Sequence, residues 1–224
     1  MEFNPGFQVS FNVQGRSCLV LGGDDEAVEK IERLLDAGAK VTVVNPSLPT
    51  ALRKLTASGK IIHRGRTFRS SDVQNGVALV MNTHSDDLDL AKLLYDLAKT
   101  ERFVVWSIDQ PDLSTINMPA LVKRGHLRVA ISTSGASPSL AKVLRQDLDH
   151  ILDDELIECL SWLAQTREGL RESEPNDTKR REQLQQVIDG FRLTGALTYP
   201  TAWKDYQTNG SSSQGGVNHG VVRV

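Results

Sequence analysis

The first half of the chain alternates between two hydrophobic periods, one belonging to strands and the other to helices. Residues 16–21 are a short apolar run that ends at a glycine, as a strand buried on both faces should be. Over 26–37 the apolar residues Ala27, Val28, Ile31, Leu34 and Leu35 fall at helical spacing, and Gly38 supplies a stop. Lys40, Val41, Thr42, Val43 and Val44 form a second, β-branched strand. This β–α–β unit spans about 30 residues, the length that a crossover helix between parallel strands requires. The pattern continues with a helix at 50–58, strands at 60–63 and 77–82, a helix at 86–100 and a strand at 103–108. Strands that alternate with helices predict an α/β fold: a mostly parallel, doubly wound sheet with helices on both faces.

Beyond residue 108 the pattern changes. A proline-bearing loop, a short helix around 119–124 and a strand at 127–132 precede a long helix that begins after Pro138. From there to Gly195 the sequence reads as almost wholly helical, broken by the polar stretch 172–177 with its Pro175. The expected division is therefore a Rossmann-like dinucleotide-binding domain at 1–112, a segment at 113–150, a helical domain at 151–206 and a disordered tail at 207–224. The segment 113–150 holds more apolar side chains than its own hairpin can bury. Ile116, Met118, Leu121, Val122, Val129, Ile131, Leu140, Val143, Leu144 and Leu148 carry that excess, which predicts a homodimer interface.

Composition removes several classes of function. With 26 basic against 28 acidic residues, the chain has no electrostatic footprint for nucleic acid. No apolar run reaches the length of a membrane span, and the opening MEFNPGFQVSFNVQG has neither the basic nor the apolar region of a signal peptide. Cys18, in a predicted strand, and Cys159, in a predicted helix, make neither a zinc spacing nor a disulfide framework. A cytoplasmic protein with no membrane or nucleic-acid partner is expected. His63, His84, His126, His150 and His219 include no pair at helical metal-binding spacing, so no metal site is expected. His84 falls at the carboxyl end of a predicted strand near Asp109, where imidazole can bind iron or take a proton.

The loop after the first strand carries the positions of a dinucleotide fingerprint, G-x-G-x-x-G/A, at Gly22, Asp24 and Ala27. The first and third positions fit. Asp24 stands where a glycine should let backbone approach a pyrophosphate, and Asp25 and Glu26 add further negative charge. Two readings are open: a working cofactor loop, or a helix start that Asp24 caps by itself. Asn45, about 20 residues on, offers an amide where the fingerprint has an acidic ribose partner. Asp109 follows the last strand near the carboxyl edge of the sheet, where it can act as a general base, hold a cation or merely form a turn ahead of Pro111. The turn from Ser132 to Pro138, which includes Thr133, Ser134 and Gly135, offers hydroxyls and free N–H groups to a polycarboxylate, or serves only to start a helix. Arg124, Arg128, Lys142 and Arg145 flank that turn.

The order of these parts is specific. Gly22-Gly23 with AGAKVTVV, then Thr83, then Ile-Asp-Gln-Pro, then Met118-Pro119-Ala120, then VAISTSGASPSLA and Leu-Arg resembles the precorrin-2 dehydrogenase family, the dehydrogenase/ferrochelatase module of sirohaem synthases. The resemblance covers about residues 8–200. It implies a homodimer that uses NAD to oxidise precorrin-2, a tetrapyrrole with eight carboxylates, to sirohydrochlorin, with Fe2+ insertion in some members. By position Asp109 matches the family's catalytic aspartate, and Thr133 matches a serine lining the tetrapyrrole site, with Ser134 and Gly135 beside it. Cofactor contacts are expected from Gly22, Gly23, Asp24, Asp25 and Glu26, from Asn45, Pro46 and Ser47, and from Thr83. Gly23, Asp25 and Glu26 would contribute mainly backbone N–H groups. The chain departs from the family pattern at Asp24 for glycine, His84 for an acidic residue and Trp106 for asparagine. Beside the dehydrogenase, two alternatives stay open: a catalytically reduced homologue that binds or chaperones a tetrapyrrole or metal, and an NAD(P)-binding regulatory protein.

Overall fold

The computed structural model describes residues 6–74 and 76–204, so the expected disordered tail at 207–224 lies outside the described residues. Five strands, β1 (Ser17–Leu21), β2 (Lys40–Val44), β3 (Ile61–Arg64), β4 (Val77–Asn82) and β5 (Val104–Ser107), form one parallel sheet in the order β3-β2-β1-β4-β5. The chain winds outward from β1 to β3 and then returns past β1 to β4. Strand order reverses between β1 and β4, the crevice where open α/β sheets bind ligands.

Side-chain alternation assigns the two faces. Cys18, Val20, Val41, Val43, Leu79 and Met81 meet helices α1 (Asp25–Asp36) and α2 (Thr50–Ala57) through Ala27, Ile31, Leu34 and Leu52. Leu19, Leu21, Val44, Val80 and Val105 meet helix α3 (Leu88–Glu101) through Leu94 and Ala98 on the other face. This is the Rossmann-like doubly wound sheet that the periodicity predicts, with element ends within one or two residues of the expected ones.

Among its described residues, the crossover from β3 to β4 contains a 3-10 turn at Ser70–Asp72 and no helix or strand. Asp72 closes it: its carboxylate accepts from Arg64 (2.5 Å), Arg66 (2.6 and 2.8 Å) and the Arg69 N–H (2.9 Å). Its side chain is 1% exposed.

After β5 the structure corrects two expectations. Residues 119–124 are not helical; strand β6 (Ala120–Arg124) pairs antiparallel with β7 (Leu127–Ile131). The two-residue link Gly125-His126, with Gly125 at φ +51, makes a hairpin, and burial of Val122 against the segment outweighs the helix propensity of Ala-Leu-Val-Lys-Arg. Helices α4 (Pro138–Ile151), α5 (Asp154–Ser173) and α6 (Asp177–Val187) follow, but helix does not run on to Gly195. Gly190, at φ +82, and Pro200 bound a stretch at 188–200 that has no regular structure. The expected break at 172–177 falls where Asn176 caps α6 by accepting from Thr178 and Lys179 N–H groups. The chain forms two compact units, Met1–Ile157 and Glu158–Val224. Among the described residues no helix is long and apolar enough to cross a membrane.

Candidate active site

Three loops meet at the carboxyl edge of the sheet, after β1, β2 and β4. Gly22, at φ +129, has no room for a side chain, because a Cβ would fall 2.0 Å from Thr83 Oγ1. A Cβ on Gly23 would fall 2.7 Å from Asn45 Nδ2, which itself donates to the Ser47 carbonyl at 2.6 Å. The two glycines therefore let the expected cofactor residues Gly22, Gly23, Asn45, Ser47 and Thr83 close on one another. Pro46 carries the chain between Asn45 and Ser47.

Asp24 is the N-cap of α1. Its Oδ1 accepts from the Ala27 N–H at 2.8 Å and from the Thr83 hydroxyl at 2.9 Å. The Thr83 hydroxyl, a single donor, also lies 3.2 Å from the Leu21 carbonyl, so the carboxylate has the shorter bond. Thus Asp24 spans the crevice between β1 and β4 and satisfies one donor of the helix. The first-turn N–H groups of Asp25 and Glu26 have no acceptor among the described residues. Two free donors at the positive end of a 12-residue helix, reached over two glycines, are the chemistry a pyrophosphate needs. The loop fits a dinucleotide, and Asp24 is the component that opposes one.

A second feature lies beside this loop, on the α1 side of β5. A cleft of about 570 Å³ is walled by Glu26, Lys30 and Arg33 of α1, by Trp106 to Pro111, and by Asn117 to Ala120. Asp109 stands on this wall, exposed, with φ +54. A left-handed non-glycine backbone costs roughly 1–2 kcal/mol, and the flanking loop holds it in place. Ser114 Oγ accepts from the Ser107 N–H and donates to the Gln110 carbonyl, both at 2.9 Å, while Thr115 Oγ1 accepts from the Val105 N–H at 2.9 Å. The Asp109 carboxylate itself has no hydrogen-bond partner among the described residues.

Trp106 packs against the α1-side core and also lines the cleft. Lys30 Nζ lies 5.3 Å from the centre of the Trp106 ring and 2.5 Å from Glu26 Oε1. Lys30 and Arg33 belong to the cleft although sequence reasoning passed over them. The available signal was a lysine on the inward, apolar face of an amphipathic helix, between Ala27 and Leu34.

Other candidates stand apart from the cleft. Thr133 Oγ1 accepts from the Ser137 N–H at 3.1 Å, Ser134 and Gly135 turn through φ +51 and +86, and Ser137 Oγ caps α4 by accepting from the Leu140 N–H at 3.1 Å. This turn reaches the cleft only through Pro138. His84 is half-buried, its backbone N–H donating to Asn82 Oδ1, and it does not line the cleft. Arg124 is tied to Asp149 and Arg128 to the carbonyls of Gly125 and Leu127. Among the described residues no group of three His, Cys, Asp or Glu side chains converges as metal ligands.

A parallel sheet with a glycine turn and a helix start that keeps two open N–H groups at its switch point is the architecture of a dinucleotide-binding protein. Residues 9–120 match the family model described as "Putative NAD(P)-binding", and the chain belongs to that family. Residues 124–150 match the central segment of sirohaem biosynthesis proteins. The chain is 34% identical over 190 residues to a sirohaem synthase of Xylella fastidiosa strain M12, covering 85% of itself and 40% of that protein. To the sirohaem synthase of Methylobacillus flagellatus it is 30% identical over 223 residues, covering 99% of itself and 47% of the relative. It thus spans less than half the length of these curated relatives. Among solved structures it is similar to SirC, a precorrin-2 dehydrogenase, with a TM-score of 0.69 and 26% identity, covering 83% of this chain and 90% of that one.

Proposed function

We propose that this chain oxidises precorrin-2 to sirohydrochlorin with NAD, in the cytoplasm, as a homodimer. The observation that carries the proposal is Asp109, an unpaired carboxylate held by a strained turn on the wall of a cleft that adjoins a dinucleotide loop. The likeness to SirC over most of both chains supports the same reading. When bound, NAD would supply the hydride acceptor; the Asp25 and Glu26 N–H groups would hold its pyrophosphate, and Gly22, Gly23, Asn45, Pro46, Ser47 and Thr83 would border it. Asp109 takes the proton that leaves the substrate. Insertion of Fe2+ into the product is a second reaction open to the same carboxylate, because metal entry releases pyrrole protons that need an acceptor. Thr133, Ser134 and Gly135 are assigned to the outer part of the tetrapyrrole site.

The segment 113–150 is assigned to dimerisation and the helical part from 151 to a separate domain. On α4, Leu140 and Val143 are about half exposed and stand at helical spacing with Leu144 and Leu148, while Val129 and Ile131 of β7 are half-buried. A second copy would cover that stripe.

One observation favours a different reading, a tetrapyrrole-binding homologue without dehydrogenase activity: the Asp24 carboxylate already fills the crevice that a pyrophosphate would approach. The deciding experiment follows sirohydrochlorin absorbance from enzymatically supplied precorrin-2 and NAD+ with the unchanged chain and with Asp109→Asn. Loss of a general base typically lowers the rate by roughly 10²–10⁴, and that loss is expected here with NAD+ affinity retained. Unchanged turnover would reduce Asp109 to a turn residue; no turnover in either protein would favour the second reading.

A further inference from the structure

We infer that Lys30 is the anchor for a substrate carboxylate in the cleft, and that Glu26 is the partner which the substrate displaces. The inference rests on the tetrapyrrole reading of the cleft and adds a residue to it. Lysine is almost never buried without a reason, yet the Lys30 side chain is 6% exposed and Lys30 lines the cleft. An i,i+4 Glu–Lys pair on a helix surface is worth only about 0.2–0.5 kcal/mol. That return is small against the desolvation of a buried ammonium, and position 30 lies on the inward face, where an apolar side chain would serve α1 better. The surface pair alone does not explain the residue.

The asymmetry of the pair suggests what does. Lys30 is buried, with its Nζ over the Trp106 ring, whereas its partners Glu26 and Glu29 are 33% and 54% exposed. The glutamates can turn into water and Lys30 cannot. An incoming carboxylate can therefore take the place of Glu26 without leaving the ammonium unpaired. Arg33, on the same wall three residues on, is held by the same Glu29 at 3.1 Å and is 31% exposed. Two cations one turn apart suit a ligand that presents two carboxylates from neighbouring positions of one ring, as an octacarboxylate tetrapyrrole does. The exchange is ionic, so no bond is made or broken.

Opposite signs for the two members of the pair test the idea. The probe is uroporphyrin, a porphyrin with eight carboxylates, titrated into the full chain and followed by its Soret band, with dicarboxylate deuteroporphyrin as the control. Loss of a charge-assisted contact should raise the uroporphyrin Kd about ten-fold or more in Lys30→Met. Lys30→Arg should recover most of the affinity. Glu26→Gln should tighten binding about three-fold, because it removes the competing carboxylate while keeping size. Deuteroporphyrin affinity should move less than uroporphyrin affinity in every variant, and thermal unfolding reports whether each one folds. If Lys30→Met folds and leaves the uroporphyrin Kd unchanged, or if Glu26→Gln weakens binding as a merely structural pair would, the anchor is overturned while the tetrapyrrole reading stands. If the unchanged chain does not bind uroporphyrin, both the anchor and the assignment of this cleft to a tetrapyrrole fall.

Discussion

Replacement of Asp24 separates the two tasks its carboxylate performs. Asp24→Asn keeps an oxygen that can accept from the Ala27 N–H and the Thr83 hydroxyl, and asparagine caps helices about as well as aspartate. It removes only the charge. Asp24→Gly removes charge, bulk and both bonds. For the glycine variant the lost cap costs a few tenths of a kcal/mol and the lost bond to Thr83 about 1 kcal/mol. In a chain of this size that lowers Tm by roughly 3–5 °C, whereas the asparagine variant should unfold like the unchanged protein. The effect on NAD+ is opposite and larger. Two unit charges ~5 Å apart repel by about 3 kcal/mol at an effective dielectric of ~20, and half of that is about a ten-fold change in affinity. Isothermal titration should therefore find weak NAD+ binding in the unchanged chain and about ten-fold tighter binding in Asp24→Asn. Asp24→Gly should gain as much or more despite its lower stability. A low-micromolar Kd in the unchanged chain that neither variant alters would refute the reasoning and leave Asp24 as a cap whose charge the pyrophosphate does not feel.

Two further expectations follow from other parts of the fold. The hydrogen bonds from Arg66, with those from Arg69 and Arg64, hold the Asp72 carboxyl down from 3.8 to about 2, against the opposing effect of burial. A depressed folded value stabilises the protein above the unfolded pKa and is lost as pH falls from about 4 toward 2, a contribution of about 2 kcal/mol. Denaturant titrations across that range should show this slope, and Asp72→Asn should abolish it; the same slope in the variant would assign it to other carboxylates. Light scattering at micromolar concentration should give twice the chain mass of 24.7 kDa, and a charged residue at Val143 should halve it. A clean monomer in the unchanged chain would remove the proposed interface.

The sheet is legible in the sequence because its inner strands are buried on both faces and its helices on one, so period separates them. Where several contacts compete, period is silent. Ala120 to Arg124 has good helix formers, and only the pairing Val122↔Val129 and the short Gly125-His126 link make it a strand. Gly190, Gly195 and Pro200 are the local markers that helix ends well before residue 200. At the cofactor loop the sequence allows both readings of Asp24, and the structure shows the cap. The bond that fixes it comes from Thr83, 59 residues away, a distance no local pattern reaches. Lys30 is hidden for a similar reason. Its i,i+4 relation to Glu26 looks like an ordinary solvent-side pair, and only the approach of Trp106 from β5 turns it into a buried charge facing a cleft.

The placement of sulfur gives this chain a built-in clock. It has two cysteines, one in each compact unit and both as free thiols. Cys18 is 1% exposed in the central strand, and burial pushes its thiol up to about 11, so almost no thiolate exists at neutral pH while the sheet is closed. Cys159 is only half-buried. An alkylating reagent should therefore mark Cys159 early and Cys18 only in molecules whose sheet has opened, so that the slower label counts openings of the nucleotide-binding unit alone. A ligand that closes the crevice between β1 and β4 would slow that count, which makes cofactor binding measurable as a rate of labelling, with no substrate and no turnover.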